Sequence, residues 1–165
     1  MNPPIPSGEP NPSEASQAYS LLQAAVNSTA DGLLVVNTDG KISIYNHRFL
    51  DIFGFSEEEA RDQPDEVLLS RAITKIVEPE KFLQRVRELY ATPTAESNDF
   101  MELHNGTILH RYSKPQILNG EVVGRVWSFR DITEQKNAEA SLLKSEQLYR
   151  TLTDHMLEFI NWHAL

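Results

Sequence analysis

The stretch Gly124-Arg125-Val126-Trp127-Ser128-Phe129-Arg130-Asp131-Ile132-Thr133 changes character halfway, and that change decides the fold. Arg125, Trp127 and Phe129 alternate with Val126, Ser128 and Arg130, so branched and aromatic residues recur at the two-residue period of a strand. Asp131 and Thr133 are both favourable helix N-caps, and Glu134 to Arg150 is rich in helix formers. A strand lining a core therefore runs straight into a long polar helix. Strain at Trp127 would be felt a few residues later at the root of that helix, a layout suited to passing a signal.

Upstream of this stretch, turn and cap signals cut the chain into short pieces. Met1 to Pro12 carries prolines at 3, 4, 6, 10 and 12 and reads as a disordered leader. Residues 13–28 read as an amphipathic helix, with Ala15, Ala18, Leu22, Ala25 and Val26 at helical spacing and Ser13 as its cap. Leu33-Leu34-Val35-Val36 and Lys41 to Tyr45, with Ile42 and Ile44 alternating, flank Asp39-Gly40, a hairpin signal. Asn46 caps a short helix that Gly54 ends, and Ser56 to Glu59 is a capping box. Val67 to Ile76 reads as helical. Pro79 opens another helix whose apolar face is Phe82, Leu83, Val86, Leu89 and Tyr90.

Phe100 to His104, Thr107 to Ser113 and Val122 to Arg130 read as strands joined at Asn105-Gly106 and Asn119-Gly120. The expected fold is α+β: a five-stranded antiparallel sheet with short helices on one face. Downstream, Ala138, Leu142, Ser145, Tyr149, Leu152, Met156 and Phe159 step by fours and threes, a heptad seam. Residues 135–165 therefore read as a coiled-coil linker, and pairing into a homodimer is expected through it and the helix at 13–28. The chain ends at Trp162-His163-Ala164-Leu165 without a stop signal, as expected of a piece of a longer protein.

Composition narrows the functions. The 165 residues suit one domain with flanking segments, able to bury about two thirds of the unfolded surface. There is no cysteine, which excludes disulfides, thiolate nucleophiles, zinc–thiolate sites and sulfur-bonded cofactors, and fits a cytoplasmic location. A formal charge of -9 disfavours nucleic acid and anionic membrane as partners. No apolar run approaches the ~20 residues of a membrane span, and the amino terminus lacks the features of a signal peptide. No glycine-rich phosphate loop, Ser/His/Asp arrangement or metal motif is present, so catalysis is not expected.

Three segments, in order and at workable spacing, resemble a PAS domain, the sensory module of bacterial signalling proteins. They are Asp31 to Val36 with Asp39-Gly40-Lys41-Ile42, then Asn46 with Phe49, Phe53-Gly54-Phe55 and Ser56, then Gly120 to Gly124 leading to Asp131-Ile132-Thr133-Glu134. The resemblance places the domain at 29–134. It implies a signalling helix after it and a downstream output such as a histidine kinase, as in two-component systems, or a diguanylate cyclase. Ser145 to Leu152 resembles the lead-in to a second PAS domain.

Likeness to PAS strands turns Arg125, Trp127 and Phe129 toward the helices, together with Met101, Leu103, Leu109, Arg111 and Ser113. The two aromatics either grip a planar ligand or fill the cavity themselves. Arg111 and Arg125 either hold a small organic anion in a forked grip or pair with carboxylates of their own chain. PAS haem sensors usually take an axial histidine from the helix corresponding to Pro79–Tyr90, where none lies; His47, His104 and His110 are scattered. A cysteine-linked flavin is excluded. At the exit, Asp131 is expected to cap backbone amides or pair with Arg130 or Lys136, and Thr133 to cap the helix.

Overall fold

The structure, a computed structural model, describes residues 11–61 and 63–163. Helix α1 spans Pro12–Asn27 and is capped by Asn11, whose side chain accepts from the Ser13 N–H, rather than by Ser13. The helix thus begins inside the expected leader, whose residues 1–10 lie outside the described ones. Strands β1 (Gly32–Asn37) and β2 (Ile42–Tyr45) form the first hairpin. Four helices follow: α2 (His47–Phe53), α3 (Glu57–Ala60), α4 (Asp65–Ile73) and α5 (Pro79–Ala91). Strands β3 (Ser97–Glu102), β4 (Ile108–Leu118) and β5 (Glu121–Asp131) complete the sheet, and α6 runs from Thr133 to His163. The sheet is five-stranded and antiparallel in the order β2-β1-β5-β4-β3, as expected.

The local signals act as physical chemistry dictates. The Asn46 side chain accepts from the Phe49 N–H, and Gly54 takes the left-handed conformation at φ +62° that closes α2. The Ser56–Glu59 box is complete, each side chain bonded to the other residue's backbone. Element boundaries differ more. Helix α4 spans Asp65–Ile73 rather than Val67–Ile76, because Pro64 supplies a fixed extended residue before its first turn. Ile76 instead bridges to Leu103 beyond the helix. Strand β3 starts at Ser97 and ends at Glu102, earlier than the expected Phe100–His104, and β4 continues to Leu118 rather than Ser113.

Strand β5 is central and pairs along its length with β1 and β4. Arg125, Trp127 and Phe129 are buried beneath the helices, while Val126, Ser128 and Arg130 face outward. The core is aromatic. Phe129 sits 5.0 Å edge-on to Phe53 and 5.8 Å from Phe49. Helix α1 buries no residue against the domain. On α6, the seam residues Leu142, Tyr149, Leu152, Met156 and Phe159 are all exposed.

Gly124 lets β5 lie close to β1. A Cβ there would stand 2.5 Å from the Val36 carbonyl oxygen and 3.2 Å from the Asn37 Cα, both backbone atoms that side-chain motion cannot clear. Gly124→Ala is therefore expected to lower stability by about 2 kcal/mol, the scale of overpacking a filled site. The readout is a lower urea midpoint at unchanged slope. A midpoint equal to that of the wild type would contradict the close approach.

Candidate functional site

Strand register brings the expected site residues to one inward sheet face. Arg111 lies opposite Phe129 and Ser113 opposite Trp127 across β4–β5, while Met101 lies opposite Leu109 across β3–β4. All are buried, and so is Leu103 just beyond β3. The space between this face and the helices, lined by Leu34, Phe49, Phe53, Phe82, Trp127 and Phe129 among others, measures about 40 Å³. That is room for about one water. The rings occupy the volume that the sequence left open to a planar ligand.

The two guanidinium groups both lie by the Trp127 ring, at 5.7 and 6.0 Å, but bond to different partners. Arg111 donates from Nε and Nη2 to the two carboxylate oxygens of Asp99, both at 2.7 Å, and its guanidinium stacks over Phe82. Asp99 reaches it because β3 and β4 place the two residues directly opposite. Among the described residues no carboxylate pairs with Arg125. It donates to the carbonyls of Leu89, Pro93 and Ala95 and to the Ser113 hydroxyl, at 2.9–3.2 Å. These carbonyls belong to the last turn of α5 and the loop after it, so Arg125 clasps the end of that helix to β5. Burial lowers its pKa, yet a guanidinium stays protonated.

One acid went unnoticed in the sequence. Asp65, first residue of α4, accepts a short hydrogen bond from the Tyr90 hydroxyl of α5. Burial pushes the Asp65 carboxyl up and burial likewise pushes the Tyr90 hydroxyl up. The pair joins α4 to α5.

The exit joint agrees with expectation at Asp131, which caps a backbone amide, and departs from it at Thr133. Asp131 accepts from the Thr133 N–H at 3.0 Å and from its hydroxyl. Thr133 does not cap α6 with its own side chain: its hydroxyl oxygen accepts from the Ile108 N–H of β4 at 2.9 Å. The Ile132 N–H donates to the Ile108 carbonyl, also at 2.9 Å. The first turn of α6 is thus tied to the neighbouring strand. Asp131 pairs with Arg48 of α2 at 3.5 Å, not with Arg130 or Lys136. Arg130 is taken by Asp31, which accepts its fork at 2.9 and 3.0 Å; Lys136 pairs with Glu139. Chain entry and exit are therefore joined at one end of the domain.

Both acids at that end titrate low. The Arg130 fork holds the Asp31 carboxyl below its ordinary 3.8, and the Thr133 hydrogen bonds do the same for Asp131. A depressed carboxyl contributes stability above its unfolded value, and that contribution is lost as pH falls through the folded value. Acid titration by NMR should give both carboxyls midpoints below 3.8, with resonances of residues 29–33 and 131–136 moving alongside them. A midpoint at or above 3.8 for Asp31 would contradict the fork.

Among the described residues, no group of three or more His, Asp or Glu is placed to hold a metal, and no helix is long and apolar enough to cross a membrane.

The same architecture occurs in solved proteins. The PAS domain of BvgS from Bordetella pertussis superposes with a TM-score of 0.57 at 16% identity, over 79% of this chain and 98% of that one. An RNA-binding light-oxygen-voltage receptor gives 0.55 at 14% identity, over 91% of this chain and 42% of its own. The sensor region of a sensor histidine kinase gives 0.50 at 18% identity, over 64% and 40%. At such identities the likeness is one of fold. No curated protein matches this chain in sequence. The family described as PAS fold matches residues 26–140, well over half the chain. With the five-stranded sheet, the helices over it and the exit into α6 all in place, the chain belongs to the PAS-fold family.

Proposed function

We propose that this chain is a relay and pairing module of a signal-transduction protein. Movement of the sheet passes through Asp131-Ile132-Thr133 into α6 and onward to an output domain, of histidine kinase or diguanylate cyclase type. The observation that carries this reading is the double tie of the α6 root to Ile108 of β4. A helix begun in this way cannot tilt without disturbing the sheet. The exposed heptad seam on α6 supports pairing with a second copy, which would cover it.

A second reading is a scaffold that pairs subunits and relays nothing, with no ligand between sheet and helices. The 40 Å³ central space favours it on the ligand and is silent on the relay. Asp131→Ala separates the two. The side chain is part-exposed and lies at the domain's edge, so the fold should survive with a loss of about 1 kcal/mol, the worth of a cap. In the full-length protein the relay reading expects output that no longer responds to stimulus. Unchanged regulation by the folded variant would leave only the scaffold.

A further inference from the structure

The two edges of the sheet differ. At the β2 edge, the Gln23 side chain of α1 donates to the Tyr45 carbonyl at 2.9 Å and so guards a strand of only four residues. At the β3 edge the chain begins a sixth strand and abandons it. Ile76 bridges antiparallel to Leu103. The Val77 N–H donates to the Glu102 carbonyl at 2.9 Å, and the His104 N–H to the Lys75 carbonyl at 2.8 Å. Pro79 then turns the chain into α5.

Backbone groups alternate in direction along a strand, and the β3–β4 register runs unbroken from Ser97 to Glu102. The Glu102 carbonyl points away from β4, so the N–H and C=O of Phe100 and Asn98 point the same way. Strand β3 ends the sheet, and among the described residues nothing pairs with those groups. Edge strands are commonly blunted by proline, lysine or a bulge, and β3 has none of these. Its one inward charge, Asp99, is matched by Arg111, and Phe100 is 60% exposed.

Beside this edge runs a groove of about 450 Å³ against α5, with Ile76, Phe82 and Met101 in its lining. Its charges select a partner. Lys81 pairs with Glu78 and Arg85 with Glu88, while Lys136, over the Phe100 ring, pairs with Glu139. No cation among the described residues pairs with Glu102.

We propose that β3 accepts an added strand: an extended segment of another protein, antiparallel to β3, with apolar residues turned into the groove and a lysine on its outer side. The segment continues the line that Ile76 and Val77 begin. Its lysine lies opposite Phe100 and reaches Glu102 on the diagonal. Backbone bonds to Phe100 and Asn98 hold the segment, and contacts with Phe82 and Met101 select its apolar residues.

The peptide acetyl-Val-Lys-Val-Thr-Val-amide has this pattern. Titrated at millimolar concentration into the isotopically labelled full chain, it is expected to shift the backbone amides of Asn98 and Phe100 and to slow their hydrogen exchange about tenfold. Methylating the backbone nitrogen of its lysine removes the bond to the Phe100 carbonyl and should weaken binding about tenfold. Glutamate in place of that lysine should weaken it about fivefold. Phe100→Pro deletes the outward N–H and leaves the β4 ladder intact, since proline is tolerated at such an edge. It should cost the peptide about tenfold, and the methylated peptide gives the same test on the unaltered chain. Equal binding of the methylated peptide overturns the proposal. So does a response at the β2 edge in place of β3, or no response at Phe100 to this peptide and its isoleucine analogue. A Phe100 amide that shifts with protein concentration alone also overturns it, by giving the edge to a second copy. None of these results touches the relay reading, which stands or falls on Asp131.

Discussion

Asn46→Ala should be the most damaging single substitution at a polar position, lowering stability by about 4 kcal/mol. The side chain is fully buried and joins the end of α1, the start of β1 and the first turn of α2. Its carbonyl oxygen accepts from the Leu33 N–H at 2.8 Å and the Phe49 N–H at 3.0 Å. Its amide donates to the carbonyls of Val26 at 2.8 Å and Asp31 at 2.9 Å. Alanine leaves the Leu33 N–H without its acceptor, at about 1–3 kcal/mol, and removes the cap on α2, at about 1 kcal/mol. The Phe49 N–H keeps the Asn46 carbonyl, and the Val26 and Asp31 carbonyls keep the Thr29 hydroxyl. Asn46→Asp keeps the two accepted bonds and the cap on α2, but sets a carboxylate against two carbonyl oxygens. It should fall between wild type and alanine. Denaturant unfolding measures both, and the alanine variant should also lose amide protection at the junction of α1 and β1. A loss below about 1 kcal/mol would mean that Asn46 is only a helix cap.

Arg125→Met comes second, at about 3 kcal/mol. Methionine fills much of the same volume and keeps the contact with Trp127, so the loss isolates the hydrogen bonds. Four acceptors lose their donor: three carbonyls on the last turn of α5 and the following loop, and the Ser113 hydroxyl. The Pro93 carbonyl lies at an exposed residue and can rehydrate, whereas Leu89 is buried and its carbonyl has no such recourse. The effect should therefore be partly local. Residues 92–96 should exchange amide protons faster, and the global midpoint should fall. Arg125→Lys, a point charge on a shorter reach, should restore less than half of the loss. Full restoration by lysine would show that charge alone, and not the forked geometry, holds the helix end.

Much of this could be read from the sequence, and the failures have physical causes. Local signals were reliable where one residue determines one torsion angle. Asn119-Gly120 forms a two-residue turn with both φ positive, +52° and +83°, so Leu118 lies opposite Glu121. Asn105-Gly106 has the same letters and a different loop. Only Gly106 has positive φ there, and Leu103 pairs with Thr107 around three residues. A two-residue turn at that point would have set Asp99 opposite Tyr112, with its carboxylate on the outer face. The one-residue difference delivers Asp99 to Arg111, and no local pattern reveals it. Period two grouped the residues of β4 and β5 into two faces regardless of register, and the resemblance to PAS strands said which face turns inward. Arg48 with Asp131, Asp31 with Arg130 and Asp65 with Tyr90 were not legible. Each joins residues far apart in the chain, and nothing nearby marks the partner. That α6 is a long helix was visible at once, since a run of helix formers at helical spacing is a property of the segment alone.

The central claim is that the root of α6 is fastened to the sheet through Asp131 and Thr133, so that neither moves alone. Amide hydrogen exchange at Ile108 and across residues 133–136 measures it most directly, because the Ile108 N–H is the bond that joins strand to helix. The account predicts strong protection at Ile108 in the wild type. In Asp131→Ala, Ile108 and the first turn of α6 should lose protection together, while Val126 and Ser128 in the middle of β5 keep theirs. If Ile108 stays protected in that variant while the helix root exchanges freely, helix and sheet are not coupled at this joint and the account is wrong.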